Sequence, residues 1–177
     1  MNTQVSIANS KGFTLLELLV TVSITAILLA VGVPSYVTFI DNNRVTSQAN
    51  DLIYGFNMAR SEAIKRGAEV RLVSVTGSDW SGGWNLVADT NNDSDFADAA
   101  DILMQWEALN GDGSLAIAAT NSPTDTYIAF SSRGSLSPSN ASFILTLEPG
   151  DCDAIDSRII ALQPSGRSAV SHGDCGE

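Results

Sequence analysis

Residues 13–33 read FTLLELLVTVSITAILLAVGV, twenty-one positions with a single charge, Glu17. At the α-helical rise this run spans the roughly 30 Å hydrocarbon layer of a bilayer. In lipid such a segment must satisfy its backbone internally, so it reads as one membrane helix. A cleavable secretory signal predicts a shorter apolar run followed by a small-x-small cleavage site. Pro34-Ser35-Tyr36 is a poor match to that context. Lys11 precedes the run, which places the N-terminus in the cytoplasm and exports the remainder of the chain. Glu17 is the anomaly, because a charged carboxylate within an apolar helix is costly without a partner. Two readings stay open at this point: Glu17 lies near the headgroups and snorkels, or it neutralises a positive group on a neighbouring subunit.

Beyond Pro34, which removes one backbone donor and is expected to kink the helix, apolar residues recur at Tyr36, Phe39, Ile40, Ala49, Leu52, Ile53, Phe56, Ala59, Ala63 and Ile64. That spacing predicts an amphipathic helix. Lys65 and Arg66 suit its negative end and Gly67 its left-handed cap. From residue 68 the period shortens. Strands are expected over 68–76, 84–88, 102–109, 127–131, 142–147, 158–162 and 167–171. Residues 77–79 and 81–83 read as turns, and 111–121 and 135–140 as loops. One long helix followed by short strands is an α+β architecture, with the second half of the helix packed on an antiparallel sheet. Trp80, Trp84 and Trp106 read as core or sheet-face residues rather than a ligand site.

The string Lys11-Gly12-Phe13-Thr14-Leu15-Leu16-Glu17 resembles the class III signal of type IV pilins and type II secretion pseudopilins. The resemblance implies cleavage between Gly12 and Phe13 by a prepilin peptidase, N-methylation of Phe13, and pairing of Glu17 with a neighbour's N-terminal amine during assembly. Pro34 falls where such pilins carry a helix-bending proline. A narrower resemblance, to the GspH/FimT branch, rests on Ala59-Arg60-Ser61-Glu62-Ala63-Ile64-Lys65-Arg66-Gly67, on Gly83-Trp84, on residues 130–134 and on Ser165-Gly166-Arg167. It implies a leader at 1–12, a transmembrane helix at 13–33, an amphipathic helix at 34–66 and a periplasmic β-rich head at 67–177. It also implies a minor, H-type pseudopilin of type II secretion, with a FimT-like minor pilin of pilus assembly, twitching or DNA uptake as the alternative. The expected partners are other pilins or pseudopilins, met through the N-terminal helix, together with the prepilin peptidase and the inner membrane.

Charge and cysteine usage bound the remaining classes. The chain carries a formal net charge of -11. From Met1 to Arg71 there are six basic and five acidic residues, and from Leu72 to Glu177 three basic and fifteen acidic. That acidity argues against nucleic acid as the main partner. FimT-like DNA binders use a C-terminal Gly-Arg-x-Arg motif; here Gly166-Arg167-Ser168-Ala169 lacks the second Arg. Arg167 is therefore a weak DNA candidate, and a strand residue in a local ion pair is its plainer reading. Asp89, Asn91, Asp93 and Asp95 alternate as calcium ligands do. Ser94 replaces the EF-hand turn glycine and Ala100 the bidentate Glu, so a solvated hairpin loop is the default. In an exported head, Cys152 and Cys175 are expected to form one disulfide worth about 3 kcal/mol in the chain-entropy model; two unlinked thiols are the alternative. No nucleophile elbow or phosphate-binding Gly loop appears, and His172 is the one histidine. The chain is not expected to be an enzyme, and it is not expected to bind a cofactor or small-molecule substrate.

Overall fold

One helix, α1, runs Leu15–Arg66 in the computed structural model, which describes residues 12–91, 93–150, 152 and 155–174. It ends as its sequence dictates. Gly67 takes φ +67°, and its N–H donates to the Ala63 carbonyl at 3.0 Å. Lys65 and Arg66 both pair with Glu62, at 3.2 and 2.9 Å. Pro34 lies inside the helix without ending it.

The chain divides into two compact units, Met1–Thr38 and Phe39–Glu177. In the first, residues 12–37 are all exposed. In the second, α1 buries Val45, Ala49, Leu52, Gly55, Phe56, Ala59 and Ala63, one stripe at three- and four-residue spacing. The expected apolar face is corrected at its ends. Tyr36, Phe39, Ile40 and Ile64 are exposed, and the face begins at Val45. Periodicity alone carries the face on through apolar residues whose side chains stay open to solvent.

The strands are β1 (Val70–Thr76), β2 (Asp79–Ala88), β3 (Ile102–Trp106), β4 (Ser114–Thr120), β5 (Tyr127–Phe130), β6 (Leu136–Ser137), β7 (Ser142–Glu148), β8 (Ser157–Leu162) and β9 (Ser168–Gly173). They form two sheets, ordered β3-β2-β1-β5-β6 and β4-β7-β8-β9, and every pairing is antiparallel. One apolar core draws on the α1 stripe, on Leu72, Trp84, Leu86 and Phe130 of the first sheet, and on Leu115, Phe143, Leu145 and Ile160 of the second. Trp80 and Trp84 are fully buried, and Trp106 packs against the core half-buried.

Three expectations change. Residues 114–120, expected in a loop, form β4, paired along its whole length with β7 from Ser114↔Glu148 to Thr120↔Ser142. Its alanines have little strand preference of their own, and the neighbouring strand supplies the ladder. Leu136 and Ser137 likewise form a short strand within an expected loop. Gly82 and Gly83, expected in a turn, sit inside β2. Gly83 has φ +95°, and a Cβ there would lie 2.5 Å from the Trp106 carbonyl, so β3 can approach β2 only over glycine.

Arg158, buried on β8, fastens the helix to the second sheet. It donates from Nη2 to Asn42 Oδ1 at 2.6 Å and to Thr46 Oγ1 at 3.4 Å. From Nη1 it reaches the Asp156 carbonyl at 2.9 Å. The loop between β2 and β3 is strapped down at two points. The Arg71 guanidinium lies over the rings of Phe96 and Tyr127, at 3.7 and 4.6 Å. Asp101, fully buried, accepts from the Thr90 amide and hydroxyl at 2.9 and 2.7 Å.

Candidate functional site

The N-terminal stretch of α1 is the candidate assembly site. Gly12, Phe13 and Thr14 precede the helix without regular structure and are exposed. Thr14 closes the helix. Its hydroxyl accepts from the Glu17 amide at 3.2 Å and donates to Glu17 Oε2 at 3.4 Å. This is a Thr-x-x-Glu cap, which meets a backbone donor that the first turn leaves open. Glu17 is thus held at the first turn, its carboxylate exposed beside the helix's positive end.

Along the apolar run the few polar side chains satisfy themselves on the helix. Thr21 donates to the Leu18 carbonyl at 2.9 Å, and Ser23 and Thr25 reach the Leu19 and Thr21 carbonyls at 2.8 Å each. Thr38 donates to the Pro34 carbonyl at 3.2 Å. Hydroxyls bonded to their own helix can lie in lipid without an external partner. The helix is long and apolar enough near its N-terminus to cross a membrane. Phe13, Leu15, Leu16, Ile27, Leu28 and Val31 are all more than 60 % exposed, an apolar surface that water disfavours and that lipid or neighbouring helices would cover.

The other sequence candidates lie elsewhere. In the loop after β2, Asn91 Oδ1 accepts from the Asp93 amide, Asp93 Oδ1 from the Asp95 amide, Asp95 Oδ1 from the Ala97 amide and Asp89 Oδ2 from the Ser94 amide. The alternating side chains turn onto the loop's own backbone. Among the described residues no group of three His, Cys, Asp or Glu could hold a metal ion. Arg167 is exposed at the β8–β9 turn, one residue ahead of β9 rather than in it. It makes no ion pair among the described residues. No described cysteine is free; Cys175 lies outside the described residues, as do Lys11 and the rest of the expected leader before Gly12.

The sequence reading missed Thr14 as the cap, although Thr14-x-x-Glu17 heading an apolar run is the capping-box signal. It also missed Asn42 and Thr46 as partners of Arg158. No local pattern announces a contact across more than a hundred residues.

A long N-terminal helix joined to an antiparallel β head, with an apolar first half capped just after a Gly-Phe junction, defines a pilin-like subunit. The prokaryotic N-terminal methylation motif matches residues 7–33. The model of the type II transport protein GspH matches residues 48–166, and the chain belongs to that family. Among solved structures, the type IV minor pilin FimU of Pseudomonas aeruginosa is 18 % identical with a TM-score of 0.57, covering 75 % of this chain and 92 % of that one. A second crystal form of the same FimU gives 18 %, 0.53, 71 % and 91 %. The minor pseudopilin EpsH from the type 2 secretion system of Vibrio cholerae is 14 % identical with a TM-score of 0.49, covering 76 % and 99 %. The comparison with curated proteins returns no match. At these identities FimU shares the fold.

Proposed function

We propose that this chain is a minor, H-type pseudopilin that assembles into a periplasmic pseudopilus driving protein export. The observation that carries the reading is the joining of a methylation-type apolar helix to a GspH-family head in one chain. In this proposal the chain inserts in the inner membrane with its N-terminus in the cytoplasm and its head in the periplasm. The prepilin peptidase cuts between Gly12 and Phe13, and Phe13 is N-methylated. The junction's exposure and lack of regular structure suit a protease substrate. The apolar helix then joins those of other subunits. Glu17, fixed by the Thr14 cap, offers its carboxylate to a neighbour's N-terminal amine. Pro34, without an N–H, lets the helix bend in the bundle. In the oxidising periplasm Cys152 pairs with Cys175.

One experiment tests the reading. Wild type and Glu17→Ala are expressed in the native cell, assembled filaments are separated from membranes, and the N-terminus is read by mass spectrometry. Wild type should begin at N-methyl-Phe13 and enter the filament, and Glu17→Ala should be processed alike but stay in the membrane. An intact Met1 or an unmethylated Phe13 refutes the processing, and normal assembly of Glu17→Ala refutes the pairing. Loss of exported enzymes with surface pili intact on deletion identifies the secretion role, and the reverse outcome identifies a minor pilin.

A further inference from the structure

Two tight turns meet at one corner of the head. One, residues 131–134, lies between β5 and β6, and the other, residues 163–167, lies between β8 and β9. The Leu136 amide ties them together by donating to the Pro164 carbonyl at 2.9 Å. Each turn carries a buried glycine in the left-handed region, Gly134 at φ +76° and Gly166 at φ +75°. A Cβ on Gly166 would collide with the Gly134 carbonyl, and one on Gly134 would lie 3.0 Å from Arg60 Nε and 2.7 Å from Ile64 Cδ1 of α1. Glycine thus lets both turns and the helix close on one point. Arg133 directly precedes Gly134, Arg167 directly follows Gly166, and both are exposed. Three arginines therefore stand around the same contact.

These three share a second property. None makes an ion pair or a side-chain hydrogen bond among the described residues. The other described basic residues are all engaged: Arg44 with Asp41, Lys65 and Arg66 with Glu62, Arg71 with Glu69, and Arg158 with Asn42 and Thr46. The sequence around the corner is also cleared of acid. Residues 52–61, 126–147 and 157–173, which supply it, hold no Asp or Glu in a chain of net charge -11. Free guanidinia gathered in one place repel one another, and an anion there is attracted by all three.

The class of anion follows from what lies beside the arginines. Ile64, on the same Gly134 contact, is 52 % exposed. Arginine around an apolar side chain is the make-up of a protein contact, and a planar guanidinium takes a carboxylate through two parallel bonds. A nucleic-acid duplex needs an extended basic track, which three arginines in so acidic a head do not supply. We propose that this corner docks an acidic segment of a partner polypeptide, one with an apolar residue flanked by carboxylates. The apolar residue covers Ile64, and the carboxylates pair with Arg60, Arg133 and Arg167. The contact uses the head alone, so it stands whether the filament serves secretion or a pilus.

The test uses the full chain in neutral detergent micelles with ¹⁵N-labelled arginine. The probe is N-acetyl-Glu-Asp-Leu-Asp-Glu-amide, its neutral control is N-acetyl-Gln-Asn-Leu-Asn-Gln-amide, and a short DNA duplex is the third arm. Arg60→Lys serves only to assign the Arg60 Nε resonance. The expected result is a saturable, salt-sensitive shift of that resonance with the acidic peptide in the millimolar range, and none with the neutral peptide or the duplex. Arg133→Gln with Arg167→Gln, both at exposed positions, should weaken peptide binding by about tenfold. An unmoved Arg60 resonance, an equal response to the neutral peptide, or unchanged affinity in the double variant overturns the proposal. Saturable binding of the duplex overturns it in favour of a nucleic acid.

Discussion

Arg158 is a buried cation that makes no ion pair among the described residues. What holds it is geometry: the backbone carbonyls of Asp156 and Ser157 just before it, and Asn42 and Thr46 on α1. A planar guanidinium can serve all four at once, which a lysine ammonium cannot. Charged hydrogen bonds are worth about 1.5–3 kcal/mol each, and truncation strips several acceptors together. We expect Arg158→Ala to cost about 2–4 kcal/mol in urea unfolding of the full chain, followed by tryptophan fluorescence. Arg158→Lys should recover less than half of that loss. A cost below about 1 kcal/mol for the alanine variant would show that the helix is held by its apolar stripe alone.

At the scale of elements, the loop between β2 and β3 is organised from within and pinned at its end by Asp101. Thr90's hydroxyl, and next its amide, hold the Asp101 carboxyl below its ordinary value, while burial pushes the other way. The folded pKa therefore lies below the unfolded one. The contribution is complete above the unfolded pKa of about 4 and is lost as pH falls through the folded value. Hydrogen exchange should show the Thr90 amide losing protection as pH drops below about 4, with the core strands unaffected in that window. Asp101→Asn should remove the pH dependence; persistence of the acid transition in that variant would assign it to another carboxylate. How far such elements can be read from sequence depends on how local their causes are. The end of α1 was legible, because Lys65, Arg66 and Gly67 act within one turn. The alternation along β1 was legible for the same reason. β4 was not, since Ser-Leu-Ala-Ile-Ala-Ala-Thr becomes a strand through the β7 ladder beside it. The start of the buried stripe at Val45 was not either, because periodicity marks a face but not the residue where a packing partner begins. Of the candidate assembly site, the apolar run with Glu17 near its start was visible directly in the sequence. The cluster of Arg60, Arg133 and Arg167 was not, as it needs three separate segments brought together.

At the scale of the whole molecule, charge sorts partners. The second half of the chain holds fifteen of the twenty acidic residues against three basic ones, and Arg167 stands exposed within that field. Phosphate backbones would meet net repulsion there. Duplex DNA should therefore show no gel shift with the full chain in detergent, even at low salt. A salt-sensitive shift abolished by Arg167→Ala would establish Arg167 as a DNA contact against the charge balance. The cap at Thr14 bears on the molecule as a whole in a different way. Since Thr14 itself closes the helix, cutting between Gly12 and Phe13 would leave the closure within the retained chain. The described residues from Phe13 onward would then keep their structure, and the change would be one of labelling: a neutral peptide link becomes a cationic chain end just ahead of an already finished helix. Maturation of this kind would be an edit of identity, made without asking the subunit to refold.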